Sequence, residues 1–151
     1  MSENTTEQIK EKVKEFFLKA GFSVELKITK NDRTFKIDVQ TDQPKELIGQ
    51  KGTLLLEIQH LLNAILKKQI GQEIFIDLDV GGYKERKIKY LRELARAIAD
   101  EVALTKKEKI LEPMPAYERR IIHLELASRP DVTTESIGKE PNRKVVIKPY
   151  P

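Results

Sequence analysis

The segment at residues 49–52, Gly-Gln-Lys-Gly, constrains the fold of this chain more than any other. It is a GxxG turn that leads directly into an apolar helical run over residues 53–68, and a short helix is predicted to begin before it at Pro44. Because glycine has no Cβ atom, the backbone can turn sharply here and lie close to a neighbouring group. The segment therefore predicts two helices joined by a tight turn, placed at the N-terminus of the second helix.

The spacing of the apolar residues changes along the other segments of residues 1–80. Residues 6–20 carry apolar side chains at helical spacing. Apolar side chains then alternate along residues 24–28 and 35–39, which predicts a hairpin with one buried face, and along residues 74–80, which predicts a third strand. We therefore expect a first domain at residues 1–80 with the order α-β-β-α-α-β.

A second domain is expected at residues 81–151, after the hinge that Gly81 and Gly82 predict. Its predicted elements are two helices and two strands, at residues 83–105, 116–127, 132–136 and 143–148. Prolines before the second helix separate it from the first. The fold class predicted for the whole chain is α+β.

Charge is distributed unevenly between the halves. Residues 81–151 contain 16 Lys and Arg against 11 Asp and Glu, a net charge of +5, whereas residues 1–80 contain 12 against 13, a net charge of −1. A basic half favours a polyanionic partner, although a simply solvated basic surface is an equally ordinary explanation. The chain has no cysteine, and its sequence contains no recognisable secretory signal or transmembrane segment. We expect a cytoplasmic protein that does not insert into a membrane.

The GxxG turn is also a candidate phosphate site. Backbone N–H groups and the positive dipole end of the following helix favour an anion, and Lys51 adds a charge. Gly49, Gln50, Lys51 and Gly52, with Ile48 beside them, would then clamp the backbone of a nucleic-acid single strand. The side chains expected to line an adjacent groove for the bases are Ile48, Leu54, Leu55, Ile37 and Val39. The alternative is a tight helix–helix turn that needs glycine only for its positive φ.

Arg119 and His123 form the second candidate site. Their i, i+4 spacing places both side chains on one face of the predicted helix. Arginine offers a fork of donors to a phosphate, and histidine offers a donor or a positive charge one turn away. Arg120, Arg129 and Arg143 are expected to extend this basic surface. The alternative is that His123 is a hydrogen-bonded residue at the boundary of the core.

The long helix at residues 83–105 carries cations at helical spacing opposite its apolar side. We call this set the basic stripe; it consists of Arg86, Lys89, Arg92 and Arg96. It is expected to bind phosphates that flank the two candidate sites. A solvated helix face with no ligand is the alternative.

Candidates for catalysis are weak. Asp77 and Asp79 alternate on one face of a strand, as a metal or acid–base pair would, but a solvated sheet edge is the expected explanation. His60 and His123 lie in separate segments without an acidic partner at ligand spacing. The sequence therefore predicts no catalytic residue, metal site or cofactor, and a protein that is not an enzyme.

Several motifs resemble those of known families. Residues 47–52, set in the α-β-β-α-α-β order, resemble a KH domain of the type II (bacterial) order. Residues 113–123, where Pro-Met-Pro precedes Glu-Arg-Arg-Ile-Ile-His, resemble the R-three-H domain, named for its Arg-x-x-x-His motif. The Thr-x-Ser-x-Gly-x-x-Pro-x-Arg tail at residues 134–143 and the junction at residues 77–86 resemble one family in particular. This is Jag, the SpoIIIJ-associated bacterial proteins that join a KH domain to an R-three-H domain, also called KhpB.

The resemblance implies a cytoplasmic protein that binds single-stranded RNA and has no enzymatic activity. It implies that the GxxG turn grips RNA backbone and that Arg119 and His123 supply a second contact. It also implies an RNA chaperone or post-transcriptional regulator linked to the cell envelope and cell shape, with a small single-KH protein as a partner. Many members carry an N-terminal Jag-N domain, which this chain is expected to lack because it begins almost at the first KH helix.

Two other functions fit the same residues. The nucleic-acid sites could have decayed, leaving a scaffold for a protein partner, which would tolerate neutralisation of the basic stripe. The Arg-x-x-x-His motif also does not choose between RNA and single-stranded DNA.

Overall fold

The computed structural model describes residues 2–151, with side chains from Asn4 onward. The chain divides into two compact units, one ending at Lys84 and the other comprising Glu85–Pro151. Both units combine helices with a small sheet, which confirms the predicted α+β fold class. The predicted boundary after residue 80 falls a few residues before this division, and the identity of the two domains stays a prediction.

The first unit has the predicted order of elements, with one additional 3-10 turn inside the GxxG segment. In chain order the elements are α1 Ser2–Lys19, β1 Glu25–Asn31, β2 Thr34–Gln40, α2 Pro44–Ile48, the 3-10 turn Gln50–Gly52, α3 Thr53–Gln69 and β3 Phe75–Val80. The main difference from the sequence prediction is that α1 begins at Ser2 instead of residue 6.

The three strands of the first unit form one sheet in the order β1-β2-β3. β1 and β2 are antiparallel, with Leu26 opposite Val39 and Ile28 opposite Ile37, so the predicted hairpin is confirmed. β2 and β3 are parallel, with Ile37 opposite Leu78. A parallel pair needs a crossover connection, and the segment from α2 through α3 provides it. The GxxG turn therefore lies within the crossover.

α1, α3 and the sheet enclose the core of the first unit. The fully or almost fully buried side chains include Ile9, Val13, Phe17, Ile37, Leu62, Leu66, Ile76 and Leu78. Except for Leu66, these residues lie at the positions that helical and alternating periods predict. Ile58 and Ile65, which the same period predicts to face the core from α3, are half-buried. The burial pattern of β2 alternates strictly, so only one face of this central strand points into the core.

The outer edge of β3 is closed by side chains of α3. Asn63 is buried; its Nδ2 donates to Ile76 O at 3.1 Å and its Oδ1 accepts from Ile76 N at 2.8 Å. Gln59 Oε1 accepts from Leu78 N at 2.9 Å. An edge strand otherwise presents unpaired N–H and C=O groups. These two amides therefore replace the missing neighbouring strand, a role that the sequence prediction did not assign.

The second unit contains most of the long helix and a second sheet. Its elements are α4 Tyr83–Thr105 (which starts within the first unit), β4 Lys109–Ile110, α5 Ala116–Leu126, β5 Val132–Ile137 and β6 Lys144–Pro149. The sheet has the order β4-β6-β5 and is antiparallel. Its core is built from Leu91, Ala95, Ala99, Val102, Ile122, Val145 and Ile147. β4 was not predicted, because two residues cannot display a period.

The expectation that Asp77 and Asp79 form a solvated edge is wrong for Asp79, which is only 2% exposed. Its Oδ1 accepts from Val80 N at 2.8 Å and from Lys84 N at 2.9 Å. Asp79 therefore satisfies a donor in the first turn of α4. Asp77 is half-buried, and Lys84 Nζ lies 2.7 Å from its Oδ1. Both carboxylates thus hold the start of α4, which explains why they alternate on one strand.

Candidate nucleic-acid interface

The GxxG turn has a left-handed backbone at three of its four residues. The φ angles are +73° at Gly49, +55° at Lys51 and +79° at Gly52. A Cβ atom built on Gly49 would lie 2.6 Å from Leu54 Cβ, and one built on Gly52 would lie 2.8 Å from Tyr83 Cε2. Both glycines are therefore required by packing, Gly49 against the start of α3 and Gly52 against the Tyr83 ring. The purely structural explanation of the motif thus accounts for its glycines, although not for the residues between them.

The two residues between the glycines, Gln50 and Lys51, are exposed. They precede α3, whose N-cap residue is Gly52 and whose first turn receives no side-chain cap. The hydroxyl of Thr53 points backward and donates to Gln50 O at 2.7 Å. The first turn of α3 also contains no acidic residue. The N–H group of Thr53 already donates to Gln50 O within the 3-10 turn. The amides that follow it at the start of this 17-residue helix receive no side-chain cap, and this end of the helix favours an anion, with Lys51 nearby in the chain.

The apolar groove expected beside the turn is largely absent from the surface. Ile37 and Val39 are 0% exposed and Leu55 is 1% exposed, because they point into the closed core between the sheet and α3. Ile48 is 9% exposed, and Leu54, at 36% exposed, is the one residue of this set that reaches the surface. The expectation is therefore wrong for the three core residues. The apolar surface next to the turn is restricted to Leu54 and the margin of Ile48.

Arg119 lies in the first turns of α5 and is 7% exposed. Its Nη1 donates to Met114 O at 2.7 Å, and its Nη2 donates to Glu140 Oε1 at 2.8 Å. Met114 belongs to the Pro-Met-Pro segment before the helix, and Glu140 to the loop between β5 and β6. The guanidinium group therefore joins two loops of the second unit and is not presented to solvent.

His123 is engaged through both ring nitrogens. Nδ1 lies 2.6 Å from Thr134 Oγ1 and Nε2 lies 2.8 Å from Ser136 Oγ, both on β5. Burial, with a smaller contribution from the charge of Arg119, lowers the pKa of His123 below its usual 6.5. The imidazole is therefore neutral at pH 7. The predicted common face of Arg119 and His123 exists, but it faces the tail segment at residues 134–143, whose hydroxyls and carboxylate it binds.

The loop at residues 138–143 has its own internal hydrogen bonds. Arg143 Nη1 donates to Gly138 O at 2.7 Å, and Asn142 N donates to Lys139 O at 2.8 Å. Gly138 has a φ of +87°. Lys139 is exposed and Arg143 is half-buried. The sequence analysis did not predict Lys139 as a site residue. Its position between Gly138 and Pro141 of the tail motif, which places it in a loop, could have indicated it.

The remaining predicted cations differ in how far their charge is compensated. Arg92 Nε lies 3.8 Å and Arg96 Nε lies 3.6 Å from carboxylate oxygens of Glu125 on α5. Arg86, Lys89 and Arg120 are exposed, like the other members of the basic stripe.

Arg129 is held by two carboxylates. Its Nη1 lies 2.7 Å from Asp100 Oδ1, and its Nη2 lies 2.7 Å from Asp131 Oδ2. The hydrogen bond to Asp131, followed by that to Asp100, raises the pKa of Arg129 further above its usual range. Because both carboxylates neutralise its charge, Arg129 contributes little positive field at this surface.

Two other kinds of feature are absent from the part of the chain that the structure describes. Residues 2–151 contain no group of three or more His, Cys, Asp or Glu side chains that could hold a metal ion. In the same range, every helix is too short or too polar to cross a membrane.

Comparison with known protein families gives a match in the second unit. The model of the R-three-H domain matches residues 89–149, which lie within the second unit. This range contains Arg119, His123 and the tail segment that they bind.

Curated relatives match most of the chain. The chain is 35% identical over 127 residues to RNA-binding protein KhpB of Lactiplantibacillus plantarum, covering 84% of the chain and 39% of the relative. It is 36% identical over 124 residues to the KhpB of Clostridium symbiosum, covering 82% and 56%. It is 32% identical over 122 residues to the KhpB of Bacillus subtilis, covering 80% and 59%. The chain thus spans about two to three fifths of the length of these relatives.

Proposed function

This chain belongs to the KhpB (Jag) family, and from that premise we propose that it binds single-stranded RNA. The observation that carries the proposal is the exposed pair Gln50 and Lys51 at the N-terminus of α3, where the helix has no side-chain cap. The residues assigned to this site are those of the GxxG turn, Gly49–Gly52, with Ile48 beside them. The first domain would be a KH domain at residues 1–80 and the second an R-three-H domain at residues 81–151.

Phosphate is the ligand that this site suits best. The first N–H groups of a helix have no intrahelical partner and lie at the positive end of the helix dipole. Gln50, Lys51 and Thr53 are exposed at this end of the helix, and no carboxylate of the first turn opposes an anion. A single strand clamped at the turn would place a base over Leu54, whose side chain is the exposed apolar group next to it.

The second unit would add electrostatic affinity. The residues proposed for it are Arg86, Arg92, Arg96, Arg119, Arg120, His123, Arg129 and Arg143. Phosphate contacts would make binding depend on salt, because each contact releases counterions from the strand. Among these residues, Arg119 and His123 bind other parts of the unit and Arg129 is neutralised by two carboxylates, so most of this affinity would come from the other members of the set.

The test is RNA binding by a charge-changing variant of the turn. Fluorescence anisotropy with short single-stranded RNA compares the wild-type chain with Gln50→Asp/Lys51→Asp, which changes two exposed residues. The matched control is Lys68→Asp/Gln69→Asp, also exposed, with the same change of charge at the other end of α3. At 1.5 Å per residue the two pairs are separated by roughly 25 Å along the helix. The turn variant should lose binding at least tenfold more than the control, and thermal melts should confirm that both fold.

Other outcomes would favour other functions. Equal affinities of the turn variant and the control would remove the GxxG turn from the interface. Binding to neither RNA nor DNA oligomers would favour a scaffold for a protein partner. Tighter binding of DNA than of RNA with the same base order would favour single-stranded DNA.

We also propose the cellular role that the family resemblance implies. The chain would act in the cytoplasm as an RNA chaperone or post-transcriptional regulator linked to the cell envelope and cell shape, with a small single-KH protein as partner. Ultraviolet cross-linking in cells, followed by sequencing of bound RNA, tests this role. Enrichment of transcripts for envelope proteins is expected, and a bound set without such enrichment would contradict it.

A further inference from the structure

We propose that Lys139 and Arg143 form a phosphate-binding loop in the second unit, and that Arg119 supports this loop without touching the nucleic acid. We call residues 138–143 the cationic loop. The inference rests on the proposed binding of single-stranded RNA and specifies which residues of the second unit make the contact. It assigns the arginine of the Arg-x-x-x-His motif a positioning role.

The surroundings of Arg119 exclude it as a free phosphate ligand in this conformation. Its side chain is 8% exposed, and two of its guanidinium nitrogens donate at 2.7 Å and 2.8 Å to Met114 O and Glu140 Oε1. The other N–H groups of the guanidinium are buried with the side chain, so a phosphate could reach them only if the side chain moved outward. An arginine that is buried and donates to two loops therefore supports these partners.

The partner of Arg119 is the single carboxylate of the cationic loop. Within residues 138–143 the ionisable side chains are Lys139, Glu140 and Arg143. The Glu140 side chain is 60% exposed, and its Oε1 lies 2.8 Å from Arg119 Nη2, so this salt bridge offsets its negative charge at the surface of the loop. The net charge that the loop presents is then that of Lys139 and Arg143. Without Arg119, the carboxylate of Glu140 would be unpaired beside the two cations and would repel phosphate.

The shape of the cationic loop is fixed from within. Arg143 Nη1 donates to Gly138 O, and Asn142 N donates to Lys139 O. Each of these two hydrogen bonds joins the start of the loop to its end. The Arg143 bond is to a neutral carbonyl, which leaves the positive charge of its guanidinium group uncompensated by that contact. Lys139 is exposed at the start of the turn. Two cations held on a pre-formed loop lose less conformational entropy on binding than two flexible ones.

Three other cations of the second unit, Arg129, Lys148 and Lys109, are matched by carboxylates. Arg129 is bound to Asp100 and Asp131, Lys148 Nζ lies 2.8 Å from Glu135, and Lys109 Nζ lies 3.1 Å from Glu101. These lysine and arginine side chains would have to exchange one anion for another. The cationic loop needs no such exchange, because Glu140 already has its own cation.

The test measures the affinity of the full chain for short single-stranded RNA of mixed sequence at several salt concentrations. Lys139→Gln should weaken binding about tenfold at low salt and flatten the slope of log K against log salt by about 0.7, the loss of one contact to a single strand. The control, Lys14→Gln, removes the same charge from the exposed side of α1 and should retain the wild-type slope.

The role of Arg119 is tested by rescue. Arg119→Gln should weaken binding, and Arg119→Gln/Glu140→Gln should recover most of it, because no carboxylate is released in the double variant. If Arg119 touched RNA, the double variant would bind as weakly as the single one, and the proposal would be overturned.

The outcomes separate this inference from the proposed function. A wild-type chain that binds no RNA overturns both. A wild-type chain that binds RNA, with Lys139→Gln indistinguishable from Lys14→Gln, overturns only the cationic loop. This second result does not depend on how well variants of the buried Arg119 fold, since Lys139 is exposed.

Discussion

The ring of Tyr83 lies directly against Gly52, so that a Cβ atom added to Gly52 would be 2.8 Å from Tyr83 Cε2 and 3.2 Å from its hydroxyl oxygen. Tyr83 is the first residue of α4, and it packs against the core of the first unit. The last glycine of the GxxG turn and the residue after the Gly-Gly pair therefore form one contact. The geometry of the turn depends on the start of α4 as well as on its own glycines.

Gly52→Ala should lower the free energy of unfolding by about 2–4 kcal/mol. A left-handed φ costs an alanine about 1–2 kcal/mol, and the overlap with the Tyr83 ring adds a similar amount. Gly21→Ala is the matched control, because Gly21 has a φ of +91° with no atom within 4 Å of the added Cβ. It should lose only the backbone contribution. Urea unfolding of both variants measures the difference, and equal losses would contradict the contact with Tyr83.

Much of the fold follows from hydrophobic period alone. Each of the predicted helices and strands is present, because amphipathic helices and half-buried strands repeat every 3.6 and 2 residues. The strand β4 is present in the structure but was not predicted, because its two residues, Lys109 and Ile110, are too few to show a period. Period also gives no information about side chains that replace a missing strand, as Asn63 does for β3.

The candidate site was less predictable than the fold. The i, i+4 spacing correctly places Arg119 and His123 on one face of α5, but it does not tell which way that face points. The answer depends on partners far along the chain: Thr134 and Ser136 for His123, and Glu140 for Arg119. The basic residues were predicted to bind from their charge alone. That charge does not show which of them are neutralised by carboxylates, as Arg129 is by Asp100 and Asp131.

Asn63→Leu should destabilise the chain by about 2–4 kcal/mol, although leucine is similar in size and more apolar. Removing the amide leaves the N–H and C=O groups of Ile76 buried without their partner, and each unsatisfied group costs about 1–3 kcal/mol. Ala64→Leu, the next position of α3 and exposed, should change stability by no more than about 0.5 kcal/mol. Urea unfolding measures both, and a neutral Asn63→Leu would mean that water or the strand itself replaces the amide.

His123 should make the folded state less stable as the pH falls. Its pKa is lowered in the folded chain, so below about pH 6.5 the unfolded chain takes up a proton that the folded chain does not. Stability from this residue is therefore complete above pH 6.5 and is lost as the pH falls toward the lowered folded pKa. Unfolding free energies of wild type and His123→Gln between these limits should converge as the pH decreases. His60→Gln, which removes the exposed histidine of α3, is the control. If the unfolding free energies of wild type and His123→Gln stayed parallel over this pH range, the assignment would be refuted.

Glu125→Gln should tighten RNA binding if the basic stripe contacts RNA. Glu125 lies within 4 Å of both Arg92 and Arg96, and an RNA phosphate near the stripe would compete with its carboxylate for both guanidinium groups. Neutralising Glu125 removes this competitor, so the affinity should rise several-fold at low salt and the salt dependence should steepen, since the two arginines then interact with phosphates alone. Glu7→Gln makes the same change of net charge at an exposed position of α1 and measures the effect of net charge by itself. Anisotropy titrations compare the two variants. Equal affinities of Glu125→Gln and Glu7→Gln would mean that the stripe is a solvated helix face, and the contribution of the second unit would then have to come from the cationic loop.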